Sequence, residues 1–180
     1  MSALKAGDQF PSDVKFDWAP IADEDPAACG IPQPYNASEE FKGKKVVLVS
    51  VPGAFTPGCH ANHVPPYIKN FDKLQQKGVD LVIVIASNDA FVMSTAAHED
   101  QQTAADGWGK VSGAAKGSKV LFMSDTKTKF SEKIGWMAGM GDRNARWAMV
   151  IDDGKVTYAE KEGSIGGVTV SGADAVLSKL

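Results

Sequence analysis

Two β-branched runs set the frame of this chain: K44-K-V-V-L-V-S-V51 and V79-D-L-V-I-V-I-A86. Neither alternates cleanly between apolar and polar residues, so each reads as a strand covered on both faces, as in the interior of a partly parallel sheet. Between them, residues 59–77 have helical character, with Phe71 and Leu74 on one apolar face and Gly78 as the stop. Strand, helix, strand predicts a right-handed βαβ unit. The remainder reads as a short strand at 14–17, irregular surface structure over 23–35, a helix over 89–105 and a strand at 118–123. A short helix over 127–134, a strand at 145–151, a turn at 152–154 and an antiparallel partner at 155–159 follow. A last helix over 170–180 has Ser171 as its cap. This order predicts an α/β sandwich around a mixed sheet. No linker or repeat divides the 180 residues, a length that fits one domain spanning 1–180.

Several classes of function fit poorly. Lys and Arg number 19 against 22 Asp and Glu, a net charge of -3, which argues against a nucleic-acid binder with its basic face. No apolar run is long enough to span a membrane, and the first residues lack an apolar signal run. Two cysteines do not make a secreted disulfide scaffold. The expected place of synthesis is the cytosol, with reduced thiols. The chain closes on Ser178-Lys179-Leu180, which reads as a peroxisomal address recognised by an import receptor. The expected location is the peroxisome, alongside the cytoplasm in which the chain is made.

The chemistry concentrates at Cys59, in P52-G-A-F-T-P-G-C59, where the first strand hands over to a helix. A helix start presents unpaired N–H groups and a positive dipole end, which favour a thiolate over a thiol. Thr56 suits the N-cap and Pro57 the first helical position. Gly53 allows a close backbone approach. An inert buried cysteine would not need Thr-Pro-Gly before it, so the segment reads as the site of a reactive thiol. In the strand at 145–151, Arg146 shares a face with Ala148 and Val150, and an arginine beside an apolar face requires a partner: a thiolate or a carboxylate. His63, four residues after Cys59, reads either as a satisfied structural histidine or as part of the site. Cys59-His60-x-x-His63 is an incomplete ligand set, so no metal is expected.

These residues carry a resemblance. P52-G-A-F-T-P-G-C59-x-x-x-H63-x-P65 resembles the active-site signature of the peroxiredoxins, most closely the Prx5-like group with its fungal peroxisomal and allergen-type members. The likeness runs from G7-D-x-F-P11 to the last helix and includes R146-W-A-M-V-I-D-D-G154, S124-D125 and F130-S-E-K-I-G135. It implies a thioredoxin-like fold, with a mixed central sheet flanked by helices, and a thiol-dependent peroxidase that needs no cofactor. It implies Cys59 as the peroxidatic thiol, with Pro52, Thr56 and Arg146 as its catalytic companions. Gly53, Phe55, Gly58 and His63 fall in supporting positions of the pocket, and the N–H groups of Gly58 and Cys59 are expected to aid the sulfur.

By the same resemblance the substrates are hydrogen peroxide and organic hydroperoxides, and the protein is a homodimer whose interface lies near the site. Phe55 is placed either in the pocket or against the second subunit, and residues 136–141 on the same surface. One departure concerns the second thiol. Many Prx5-like proteins carry a resolving cysteine near the last helix, but residues 166–174 contain none. Cys29 is the candidate that remains. Either it resolves oxidised Cys59, with thioredoxin as reductant, or it is idle and glutathione or a glutaredoxin reduces Cys59 directly.

Overall fold

A computed structural model describes residues 3–20, 31–93, 108–112 and 119–180. Seven strands form one sheet: β1 (Lys15–Trp18), β2 (Gln33–Asn36), β3 (Lys45–Ser50), β4 (Leu81–Ala86), β5 (Val120–Ser124), β6 (Trp147–Asp152) and β7 (Lys155–Lys161). Their spatial order is β2-β1-β5-β4-β3-β6-β7. The three central strands, β5, β4 and β3, are parallel, and β6, β7, β1 and β2 are added antiparallel. This is the mixed sheet that the sequence predicts. The two long β-branched runs occupy its centre, where every residue of β4 is buried.

Alternation along the strands divides the core into two. Val47, Val49, Val82, Val84, Phe122, Ala148 and Val150 face a layer that holds Cys59, Tyr67, Leu74, Trp108 and Val176. Val46, Leu48, Ile83, Ile85, Met149 and Ile151 face the other layer, with Phe10, Phe41, Phe130 and Trp136. Trp108, Trp136 and Trp147 are all buried, as core anchors should be. Asp153 (φ +46) and Gly154 (φ +76) join β6 to β7 in the two-residue hairpin that the Asp-Gly pair predicts.

Four expectations change. The segment read as irregular contains β2, in which Pro34 is tolerated because the strand lies at the sheet edge, where no neighbour needs its missing N–H. The helix expected over 59–77 is three pieces: a π-turn at Cys59–His63, then helices Pro65–Lys69 and Phe71–Gln76. Pro65 and Pro66 cannot donate to the preceding turn, and Val64 N reaches back five residues to Cys59 O at 3.1 Å. The helix expected over 89–105 is seen at Ala90–Met93, and its remainder lies outside the described residues. The last helix, expected over 170–180, runs from Ala173 to Leu177 with Gly172 at its start, and Ser171 is no cap because its hydroxyl donates to Glu162.

Candidate active site

Strand β3 ends at Ser50 and delivers the chain to Pro52. The loop that follows is held from three directions. Asn88 Oδ1 accepts from Ala54 N at 2.8 Å, Thr56 Oγ1 donates to Gly53 O at 2.9 Å, and Arg143 Nη1 donates to Pro52 O at 3.2 Å. Gly53 leaves room for the Arg143 guanidinium, since a Cβ there would lie 2.7 Å from Nη1 and displace it. Phe55 takes a left-handed φ of +56°, is 51% exposed and stacks on His60 at 6.4 Å. The Thr56 carbonyl accepts from His60 N at 2.9 Å and so begins the turn. The Thr56 side chain is not a cap. Its hydroxyl proton goes to Gly53, not toward the sulfur.

Cys59 follows, only 1% exposed. Its Sγ receives Arg146 Nη2 at 3.4 Å. Within the hydrogen bonds of the described residues, it is this side chain that reaches the sulfur, rather than the N–H groups of Gly58 and Cys59. Arg146 is 4% exposed and stands immediately before β6, on the face of Ala148 and Val150. Every nitrogen of its planar fork is engaged: Nε and Nη2 each donate to Ile165 O at 3.2 Å, and Nη1 bonds His63 Nδ1 at 2.9 Å. No carboxylate forms an ion pair with it among the described residues. Of the two partners expected for this arginine, the structure brings the sulfur.

His63 is buried and bonded through both ring nitrogens. Nε2 lies 2.8 Å from Ser171 O, a pure acceptor, so Nε2 carries the proton and Nδ1 accepts from Arg146. Burial holds the imidazole down to about 4; the bond to Ser171 opposes that shift and the charge of Arg146 adds to it. His63 is therefore neutral at physiological pH and stands in contact with the arginine that faces Cys59. His60, next to Cys59, accepts at Nδ1 from the buried Trp108 Nε1 at 3.0 Å. Gly58 lies close to the guanidinium, where a Cβ would make an ordinary 3.5 Å contact with Nη2. Cys29 lies outside the described residues. No metal-binding cluster occurs among the described residues.

Some members of this constellation carry no sequence signal. Glu162, just after β7, is 6% exposed, and its carboxylate accepts from the N–H groups of Thr169, Val170 and Ser171 and from the hydroxyls of Thr169 and Ser171. Burial raises its pKa, but those bonds outweigh it and hold the carboxyl down to about 2. Tyr67 Oη donates to Ser171 O at 2.6 Å and Tyr158 Oη to Val170 O at 2.6 Å. These partners lie far apart in sequence and meet through backbone atoms, which residue types do not reveal.

A buried sulfur beside a guanidinium that has no carboxylate partner among the described residues is an arrangement suited to thiol chemistry on a small molecule. Comparison with known proteins gives the family. The Redoxin family model matches residues 5–177. The chain is 48% identical over 180 residues to peroxiredoxin Pen c 3 of Penicillium citrinum, covering 99% of each chain. It is 41% identical to a putative peroxisomal peroxiredoxin of Lipomyces kononenkoae, covering 96% of this chain and 99% of the relative. Reduced Prx3 of Vibrio vulnificus, solved in complex with hydrogen peroxide, superposes with a TM-score of 0.74 at 32% identity, covering 98% of this chain and 99% of that one. By its family match, its full-length relatives and its thioredoxin-like fold, the chain belongs to the peroxiredoxins, which are thiol-dependent peroxidases.

Proposed function

We propose that this chain reduces hydrogen peroxide and alkyl hydroperoxides through the thiolate of Cys59. The observation that carries the reading is the 3.4 Å contact of Arg146 Nη2 with a sulfur that has almost no exposed surface. A guanidinium at this distance, with no carboxylate in an ion pair with it among the described residues, can stabilise the negative charge that the reaction moves across the site.

The sulfur attacks one peroxide oxygen. An S–O bond forms, the O–O bond breaks, and Cys59 is oxidised by two electrons to the sulfenic acid while the departing oxygen takes a proton and leaves as water or alcohol. Negative charge moves from sulfur to that oxygen, and the Arg146 fork spans both positions. Thr56 has its own proton committed to Gly53 O, so its oxygen is left to accept the peroxide O–H. Pro52 walls the pocket against water, and the N–H groups of Gly58 and Cys59 complete its positive side.

Regeneration needs a thiol. The sulfenic acid condenses with that thiol, releasing water, and a second thiol frees Cys59 by exchange. Cys29 is the candidate resolving thiol, with thioredoxin reducing the disulfide. In the other route glutathione or a glutaredoxin attacks Cys59 directly. Either route requires the π-turn to open, since Cys59 is buried. A homodimer formed near the site fits Phe55, Met140 and Ile165, large exposed apolar side chains on the loops that frame it. Peroxisomal import through Ser178-Lys179-Leu180 is consistent with the relative named peroxisomal. Leu180 packs partly against the core, so receptor engagement has to draw it away.

The test is turnover of hydrogen peroxide by the reduced protein, with the thioredoxin system and the glutathione–glutaredoxin system supplied separately. At least one system is expected to sustain turnover by the wild type and neither by Cys59→Ser. Undiminished turnover by Cys59→Ser would end the reading.

A further inference from the structure

Arg146 does not hold itself in place. Both ends of the residue are fixed by the ten-residue segment 162–171. Its backbone O accepts from Glu162 N at 2.9 Å, and its fork donates twice to Ile165 O. His63, the acceptor for Nη1, is aimed by Ser171 O from the far end of the same segment. That segment returns on itself because one carboxylate gathers it. Glu162 Oε1 accepts from three successive N–H groups, Thr169 at 2.7 Å and Val170 and Ser171 at 2.8 Å, and from Ser171 Oγ at 2.8 Å. Its Oε2 accepts from Thr169 Oγ1 at 2.8 Å.

We propose that Glu162 is the positioning residue for Arg146: by closing the 162–171 loop it presents the Ile165 and Ser171 carbonyls that lock Arg146 and His63 against Cys59. This deepens the peroxidase reading and rests on it for its kinetic arm. The physical argument is geometric. A guanidinium with five N–H donors and a flexible stem reaches a buried sulfur only if its other donors are occupied in the matching plane. Two of those acceptors are held directly or indirectly by the Glu162 loop. Loss of the carboxylate leaves three backbone N–H groups of residues 169–171 without their acceptor, in a segment where Tyr67, Tyr158 and His63 still hold the carbonyl side. The loop then relaxes, and the fork loses its registration on Sγ.

The experiment uses the full chain with Cys29→Ser, so that a single thiol reports. Thiolate ultraviolet absorbance is followed across a pH titration, and reaction with one equivalent of hydrogen peroxide is timed. Glu162→Ala is expected to move the thiolate titration toward alkaline pH and to slow the peroxide reaction by about tenfold or more, the scale at which orienting partners act. Glu162→Gln, which keeps an oxygen for the three N–H groups, is expected to restore most of both. A folded Glu162→Ala with the parental titration overturns the proposal, even if its rate falls through a smaller folded fraction. Should Glu162→Ala fail to fold, the Thr169→Val, Ser171→Ala pair, which removes the two hydroxyl bonds and keeps both carbonyls, is expected to show a smaller alkaline shift. Parental curves in that pair overturn the proposal equally. A Cys29→Ser parent no faster than free cysteine would defeat the peroxidase reading itself, while the titration still decides the role of Glu162.

Discussion

Arg146 Nη1 meets His63 Nδ1 at 2.9 Å, and that nitrogen can accept only because the proton of the ring is committed at Nε2 to Ser171 O. The cation that faces the sulfur is therefore braced by a neutral imidazole. Protonation of His63 would set two positive groups against each other in a buried place.

This sets an acid limit on stability. Burial lowers the folded-state pKa of His63 from 6.5 to about 4, so the unfolded chain binds the proton more readily between these values. The contribution of His63 is fully present above pH 6.5 and is lost as pH falls toward about 4, a change on the order of 3 kcal/mol. Denaturant unfolding at a series of pH values should show that slope, and His63→Gln should flatten it. A wild-type stability independent of pH across this window would contradict the buried neutral imidazole.

Glu162 acts in a lower window and in the same direction. Its carboxyl is held from 4.5 down to about 2, so the stability it provides is present above pH 4.5 and disappears as pH falls toward about 2. Glu162→Gln should reduce the loss of stability below pH 4.5 by the share that Glu162 contributes and leave the His63 part in place. Circular dichroism during acid titration distinguishes the two.

Arg146→Ala should slow the reaction with peroxide on the order of a hundredfold or more, as expected for loss of a donor aimed at developing charge. The fold should change much less, because no buried carboxylate is left unpaired. Arg146→Lys should recover little, since an ammonium cannot bond Cys59, His63 and Ile165 O at once. Stopped-flow rates beside thermal melts check this. Wild-type rates in Arg146→Ala would remove Arg146 from the mechanism.

Gly53→Ala should displace Arg143 Nη1, which lies 2.7 Å from the added Cβ, and so break its bond to Pro52 O, costing about 1 kcal/mol. In an Arg143→Ala background the same substitution should cost much less, because there is then no guanidinium to move. Thermal unfolding of the four proteins in this cycle gives the coupling directly. Additive effects would show that Gly53 answers to something other than Arg143.

The legible parts of this protein are those whose cause is local. The β-branched runs at Lys45–Ser50 and Leu81–Ala86 are strands because such residues fill a pleated, doubly covered sheet. Arg146 was placeable because a period of two puts it on the face of Ala148 and Val150, the face that Cys59 shares. The strand at Gln33–Asn36 was hidden by its prolines, which only its edge position excuses. The break of the 59–77 helix at Val64 follows from Pro65 and Pro66, visible in sequence but outweighed there by helical patterning. Glu162, Ser171, Asn88 and Arg143 were not legible as parts of the site, because each works through a backbone atom remote in the chain.

Cys59 is expected to react with peroxide faster than an ordinary thiol because of what surrounds it. The direct measurement mixes fully reduced protein with one equivalent of hydrogen peroxide, quenches at rising times and reads intact mass. One two-electron oxidation is expected, as a sulfenic acid or a disulfide, appearing orders of magnitude faster than in free cysteine under the same conditions and absent in Cys59→Ser. Oxidation at the pace of free cysteine, or unchanged in Cys59→Ser, would contradict it.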